Sequence, residues 1–370
     1  MKKVKIAYAY TAFSFLAIAM VLSPNIAGIW DSSPSYMYIP MPSSLSGYFI
    51  RYINITTGQG SNLKLNITIP YSNEYQSTSL QVLSGQVYSK HEDYNRTWIT
   101  LQISSSTSIE LKYSFSSKAF SYPVSRYNSL NNSYIPSYLK EQYLGDEYLF
   151  GNEVIMPEMF KEITKKIVGN NTNVFDEEKA IYDYIVKNFK YKITYTLNNL
   201  PNSAWKTYQM GVGDCVELSF LYVSMARSIG IPAWVEFGWL YTTQTWAEHA
   251  WVGTVIPTRE GIVRGIIDLT EEVGTSDLGI GFFVRDPFRL LEWVDDGNSS
   301  HLTNYYTLLS GETRGNFYAP VEKIIPSSVN FGQYSLFPLP SYSLDPFIFR
   351  LIIVAVASLI IYYVVRRKGL

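Results

Sequence analysis

The side chain best suited to nucleophilic chemistry in this chain is Cys215, its one cysteine. The chain has 370 residues and three histidines. Cys215 lies in Gly211-Val-Gly-Asp-Cys-Val-Glu217, where a glycine-containing turn leads into a long apolar segment. A thiol at a helix N-terminus meets unpaired N–H groups and the positive end of the helix dipole, and both favour a thiolate. The same N–H groups can bind the oxyanion that forms when a thiolate attacks a carbonyl.

A thiol nucleophile also needs a base and a group that orients the base. His249 opens one strand-like run, and Asp268 lies near the end of the next, with a hairpin turn predicted at 258–261 between them. In that antiparallel hairpin the two positions are close to opposite each other, so we predict that they meet. A histidine can shuttle the proton and a carboxylate can orient its imidazole, and the three residues therefore predict a Cys215–His249–Asp268 triad.

Each of the three residues also has a structural interpretation. Cys215 could be a buried thiol or form an intermolecular disulfide, since one cysteine forms no internal disulfide. His249 could be a core or hairpin residue, and Asp268 could end a strand. Their joint occurrence in a chain with so few cysteines and histidines favours the triad.

The elements around the triad are predicted to be helices followed by an antiparallel sheet. Helical periodicity covers 159–167, 179–189 and 214–229, and strand-like runs cover 233–240, 249–256 and 261–269. This order predicts an α+β domain over 151–310, with the cysteine helix packed on the sheet. Upstream, alternating runs predict a small β-sandwich over 36–122 that carries no catalytic set. Residues 123–150 are predicted to be a linker, and the Pro/Ser/Tyr-rich segment 311–345 a stalk.

Both ends of the chain predict an association with membranes. Residues 1–27, a basic start followed by an apolar run, predict a signal peptide or an N-terminal anchor. The apolar segment 346–365 predicts a transmembrane helix, and the basic tail 366–370 belongs on the cytoplasmic side. Together they predict a cell-membrane protein with a single C-terminal span and extracytoplasmic main domains. Glycosylation sequons, which support this topology, begin at Asn54, Asn66, Asn95, Asn131, Asn170 and Asn298.

Composition excludes several classes of partner. A formal net charge of -1 with 16% charged residues argues against a nucleic-acid surface. With so few cysteines and histidines and no EF-hand pattern, we predict no metal and no cofactor.

Four segments around the triad resemble the transglutaminase-like superfamily, which shares papain's Cys–His–Asp arrangement. They are Gly213-Asp-Cys-Val-Glu217, Ala226-Arg-Ser-Ile-Gly-Ile-Pro-Ala233, Glu248-His-Ala-Trp-Val252 and Ile267-Asp268, in family order. The resemblance covers about residues 150–310 and points to a membrane-anchored member of archaeal or bacterial type. It implies a papain-like, transglutaminase-like core in which Cys215 is the nucleophile, His249 the base and acid, and Asp268 the orienting residue.

The resemblance leaves one role open, because family members add an upstream side chain at the oxyanion site. The candidates here are Trp205, Gln209 and Tyr191. Glu217 and Glu248 either shape substrate binding or satisfy local hydrogen bonds.

The sequence thus predicts an extracytoplasmic thiol enzyme that acts on peptide or amide bonds through an acyl-enzyme. Because water is always present, we favour hydrolysis by a cysteine protease or amidase over cross-linking by a protein-glutamine transamidase. A non-catalytic cell-surface binding or scaffold protein and an envelope assembly protein are the alternatives. The predicted partners are a peptide or protein substrate, with cell-envelope components as one option.

Overall fold

The computed structural model describes residues 35–57, 63–93, 96–193, 200–242, 245–270, 272–273, 279–310, 317–344 and 355–356. The chain divides into two units. One is Tyr38–Ser341, which contains every element that supports the site, and the other combines Met1–Met37 with Tyr342–Leu370. In the smaller unit, the described residues are the ends of two strands and residues 355–356.

The elements follow in chain order. The α-helices are α1 (Ser137–Tyr143), α2 (Pro157–Val168), α3 (Val174–Asn188), α4 (Ala204–Met210), α5 (Cys215–Ser228) and α6 (Ser299–Ser310), with a 3-10 turn at Asn132–Tyr134. The strands are β1 (Ser35–Pro42), β2 (Ser44–Thr57), β3 (Leu63–Ile69), β4 (Gln76–Ser84), β5 (Gln86–Asp93), β6 (Arg96–Ile103), β7 (Thr107–Lys118), β8 (Phe120–Ser121), β9 (Glu147–Leu149), β10 (Asn152–Ile155), β11 (Lys190–Tyr191), β12 (Val212–Gly213), β13 (Ala233–Thr242), β14 (Thr245–Thr258), β15 (Gly261–Ile267), β16 (Val284–Arg285), β17 (Arg289–Val294), β18 (Phe317–Phe331) and β19 (Tyr334–Leu344).

The N-terminal part of the larger unit is built from two antiparallel sheets. In the described residues their strand orders are β18-β2-β7-β4 and β3-β6-β5. Apolar residues alternate along the strands, so that Ile53 and Ile55 are buried while Asn54 is exposed. Side chains from both sheets form one apolar core around Phe49 and Leu101. The burial of alternate residues follows the period-two pattern of the sequence.

Two predicted connecting segments are instead part of the folded unit. The described part of the predicted stalk, 317–331, is the strand β18, which pairs with β2 along its length. Its proline and serine residues therefore occupy a sheet edge, where missing N–H groups are tolerated. The predicted linker 123–150 contains α1 and places Val124, Leu139 and Leu149 in the main core. The stalk and linker predictions were wrong because composition reports polarity and not contacts with distant strands.

The helical layer and a second antiparallel sheet form the C-terminal part of the unit. The described sheet order is β15-β14-β13-β17. Helix α5 is buried along nearly its whole length, because apolar residues surround it. The result is the mixed helix-and-antiparallel-sheet architecture that the sequence predicted, with β17 as a strand that the pattern did not reveal.

Strands β13 and β14 connect the core of the C-terminal part with the core of the β-sandwich-like part. Trp239 and Trp246 belong to the core of the β-sandwich-like part, where Trp246 packs 5.2 Å from Phe49 between ring centroids. From the other side, Ser117 donates to the carbonyl oxygen of Arg289 at 3.2 Å. The two parts are therefore packed against each other within the larger unit.

Within the described residues, we find no helix with the length and apolar character needed to cross a bilayer. The predicted segment 1–27 and, apart from residues 355–356, the predicted span 346–365 lie outside the described residues. Of the sequon asparagines, Asn95 also lies outside them. Asn54, Asn131, Asn170 and Asn298 are exposed, and Asn66 is partly buried.

Candidate active site

Cys215 is the first residue of α5, and its neighbours cap the helix. The Asp214 carboxylate accepts hydrogen bonds from the backbone N–H groups of Val216 and Glu217, both at 3.0 Å. The Glu217 carboxylate accepts one from the backbone of Asp214 at 3.2 Å. This is a capping box, which the spacing of an acidic N-cap and a glutamate three residues later explains. The first-turn amide that the cap leaves available is that of Cys215 itself.

The turn before the cysteine is fixed by Glu217. Its carboxylate also accepts hydrogen bonds from the backbone and side chain of Asn202, at 2.8 and 2.6 Å. Gly213 is required here, because a Cβ atom would lie 2.9 Å from the Thr207 side chain. Of the two roles left open for Glu217, the structure therefore supports local hydrogen bonding.

His249 and Asp268 meet through a short hydrogen bond, with Nε2 of His249 2.7 Å from Oδ2 of Asp268. Both side chains are buried. The hairpin turns where predicted, since Thr258 pairs with Gly261, but the ladder is offset by two residues and Val252 pairs with Ile267. An offset of two keeps side chains on the same face, so the diagonal pair still meets.

Asp268 is held by two residues that the sequence did not single out. Thr270 donates to Oδ1 through its backbone at 3.0 Å and its hydroxyl at 2.7 Å. Arg289 donates to Oδ2 from Nε at 3.0 Å and from Nη2 at 2.6 Å, and it also pairs with Asp286. The Asp-x-Thr spacing is a local signal that could have revealed Thr270. No local signal links Arg289 to Asp268, because Asp268 follows β15 whereas Arg289 begins β17.

The electrostatics of this pair favour an ionised histidine. Burial alone would lower the pKa of His249, but the charge and hydrogen bond of Asp268, with a smaller contribution from Cys215, raise it to about 10. For Asp268, burial opposes ionisation, yet His249 and Arg289 hold its pKa well below the usual range. His249 is hydrogen-bonded to Cys215 as well. Because Nε2 faces Asp268, Nδ1 is the ring nitrogen left for the thiol.

The strand that carries His249 is anchored by a buried carboxylate. Glu236 accepts hydrogen bonds from the indole nitrogens of Trp234 at 3.1 Å and Trp251 at 2.7 Å. A Cβ atom at Gly253 would lie 2.1 Å from the Trp234 nitrogen, so glycine makes room for the indole. These tryptophans form walls of the core and fix β14 behind the histidine.

The three upstream oxyanion candidates lie in different environments. Tyr191 is exposed on β11, in register with Gly213 on β12. The ring of Trp205 stacks on Tyr208 with a centroid distance of 5.5 Å. Gln209 is exposed on α4. Among the described residues, no three His, Cys, Asp or Glu side chains are grouped so as to hold a metal ion.

Comparisons with known proteins agree with this geometry at the level of family and fold. The model of the transglutaminase-like superfamily matches residues 161–260, a segment that contains both Cys215 and His249. The resemblance to this superfamily that the sequence predicted is thereby confirmed for residues 161–260, a segment that ends before Asp268.

Solved structures add a match over most of the chain. A candidate cysteine protease from Cytophaga hutchinsonii has a TM-score of 0.51 and 14% identity, over 84% of this chain and 93% of that one. At that identity the match shows the fold alone. The periplasmic domain of TgpA from Pseudomonas aeruginosa gives a TM-score of 0.32 and 14% identity, over 65% of this chain and 96% of that one. Among curated proteins, none matches the sequence.

Proposed function

We propose that this protein is a thiol hydrolase that cleaves peptide or amide bonds through an acyl-enzyme. The observation that carries the proposal is the chain of contacts from Cys215, on the first residue of α5, through His249 to Asp268. A sulfur beside an imidazolium at a helix N-terminus lies in a positive environment, which is the setting of nucleophilic cysteines.

The reaction then has two halves. The thiolate of Cys215 bonds to the carbonyl carbon, the C–N bond breaks, and the leaving amine takes a proton from the His249 imidazolium. The acyl group remains on sulfur as a thioester. Neutral His249 next accepts a proton from water, whose oxygen attacks the thioester and frees the acid and the thiol. Asp268 stays ionised and holds the imidazole in orientation throughout.

Transamidation is the second outcome of the same acyl-enzyme, with a primary amine in place of water. We favour water because it is always present. We also propose that the site faces the outside of the cell. The apolar run 346–365 with its basic tail and the exposed sequon asparagines support this orientation.

The purified full-length chain provides the test. Iodoacetamide is expected to label Cys215 at pH 7 faster than it labels a free thiol, and His249→Ala to slow labelling about ten-fold or more. Sluggish labelling without dependence on His249 would contradict a nucleophilic role.

The outcome of the acyl-enzyme is tested by incubation with a peptide library and a biotinylated primary amine. Cleaved peptides indicate a hydrolase, incorporated amine indicates a transamidase, and neither product indicates a binding protein. Cys215→Ala is the matched control and must abolish either product.

A further inference from the structure

Tyr306 on α6 carries a buried hydroxyl that the proposed mechanism does not use. Among the described residues, this hydroxyl has no hydrogen-bond partner. Its ring is held edge-on by Phe237, at a centroid distance of 5.8 Å, and by Tyr305 at 6.2 Å. Buried hydroxyls in native proteins are nearly always hydrogen-bonded, so one without a partner needs an explanation.

The position of Tyr306 provides that explanation. The charged groups that act most strongly on its hydroxyl are Asp214 and Cys215, followed by Glu248 and Glu217. Phe237, which holds the ring, pairs across the sheet with Ala250, the residue after His249. The ring of Tyr306 therefore packs on β13, next to the strand that carries His249, and its hydroxyl interacts with the charges of the nucleophile's turn.

The carboxylates of that turn already have donors of their own. Asp214 accepts from the Val216 and Glu217 amides, and Glu217 accepts from Asn202 and from the Asp214 amide. Burial, and then the negative charges nearby, raise the pKa of Tyr306 well above the usual range. The hydroxyl therefore keeps its proton and can act as a donor.

We propose that Tyr306 donates a hydrogen bond to the oxyanion of the tetrahedral intermediate, beside the backbone N–H of Cys215. The inference rests on the proposed function. As the bond between sulfur and the carbonyl carbon forms, the electron pair of the C=O double bond moves onto oxygen. Tyr306 stabilises that charge without giving up its proton. When the intermediate collapses, the C=O bond forms again and the amine leaves with the proton of His249.

This role is the one that the sequence left among Trp205, Gln209 and Tyr191. Those candidates precede the cysteine in the chain, whereas Tyr306 follows it on a helix beyond the catalytic sheet. Tyr306 differs from them because its hydroxyl is buried, is unpartnered among the described residues and interacts electrostatically with Cys215.

The test compares Tyr306→Phe with wild type in two reactions of Cys215 in the full-length chain. Acylation by p-nitrophenyl acetate passes through an oxyanion and is read from the burst of p-nitrophenolate. We expect Tyr306→Phe to slow it about 10- to 1000-fold. Alkylation by iodoacetamide forms no oxyanion, so its rate is expected to stay within about two-fold of wild type.

Tyr305→Phe is the matched control, because the adjacent hydroxyl is already bonded to Glu292 at 3.1 Å. This variant is expected to melt at a lower temperature and to acylate like wild type, whereas Tyr306→Phe keeps the wild-type melting temperature. Tyr306→Phe acylating at the wild-type rate, or losing both reactions equally, would overturn the oxyanion role. A wild-type protein that is alkylated rapidly but gives no burst would overturn it too. Slow alkylation of wild type would instead overturn the proposed function on which it rests.

Discussion

Two buried clusters of this protein contain the same groups, one arginine and two carboxylates, and hold their protons differently. At the candidate active site, Arg289 pairs with Asp268 and Asp286. Near the C-terminal end of α5, Nη2 of Arg227 lies 2.6 Å from Glu147 and 4.0 Å from Asp295. The pKa of Asp268 is held low, whereas burial and then the neighbouring Glu147 raise the pKa of Asp295 well above its usual range.

The difference lies in how many donors reach each carboxylate. Asp268 receives hydrogen bonds from His249, from two groups of Arg289 and from two groups of Thr270. Arg227 instead directs two of its N–H groups to the carbonyl oxygens of Ala233 and Gly145, both at 2.8 Å. A buried carboxylate stays ionised only where enough donors replace water, so one cluster keeps a negative charge for His249 and the other keeps a proton.

Among the changes to these clusters, we expect the removal of Arg289 to have the largest effect on stability. Arg289→Met removes the cation shared by two buried carboxylates and leaves Asp268 paired with His249 alone, so we expect the free energy of unfolding to fall by about 3–5 kcal/mol. Urea denaturation of the full-length chain measures it. A loss below about 1 kcal/mol would show that Arg289 does not compensate these charges.

Replacing one carboxylate in each cluster is expected to have different effects on stability and on Cys215 labelling. Asp295→Asn resembles the protonated acid that burial favours, so we expect its free energy of unfolding to match wild type at acid pH and to exceed it at pH 7, with Cys215 labelling unchanged. Asp268→Asn removes a charge, so labelling is expected to slow about ten-fold or more.

The pH dependence of unfolding separates these two variants further. The raised pKa of His249 contributes stability that is present below pH 6.5 and is lost as the pH rises towards about 10. Asp268→Asn should remove that loss, and also the loss at acid pH that a lowered carboxyl pKa causes. Asp295, whose pKa is raised, contributes stability that declines with rising pH, and Asp295→Asn should remove only this decline. Identical profiles for both variants would contradict the distinction between the clusters.

An exposed ion pair serves as the reference for the buried clusters, and its removal is expected to have the smallest effect on stability. Arg126 donates to Asp176 at 3.1 and 2.9 Å, but its side chain is 54% exposed. Arg126→Ala is expected to lower the free energy of unfolding by about 1 kcal/mol or less, and added salt should shrink the difference. A larger, salt-insensitive loss would mean that this pair resembles the buried clusters.

The parts of this architecture that were predictable are those that local pattern determines. Helical period and a glycine-containing turn place Cys215 at the start of α5, and the turn at 258–261 places β14 beside β15. The contact between His249 and Asp268 was also predicted, although the predicted register was two residues off. Strand alternation determines the face on which a side chain lies better than it determines the residue opposite.

Contacts between distant parts of the chain were not predictable. Arg289 reaches Asp268 only through the order of strands in the sheet, and Tyr306 packs on Phe237 only because α6 returns to β13. The segment 317–331 was missed for the same reason, since the partner of β18 is β2, far earlier in the chain.

That last pairing determines when this protein can finish folding. Strand β2 is synthesised early, yet one of its edges stays open until β18 emerges from the ribosome, after the whole catalytic segment. Because β18 and β2 are far apart in the chain, this sheet has a high contact order. Until β18 is synthesised, the unpaired edge of β2 can pair with strands of other nascent chains. Chains truncated before Phe317 would retain Cys215, His249 and Asp268 but leave that edge unprotected, so aggregation during synthesis would be their dominant failure.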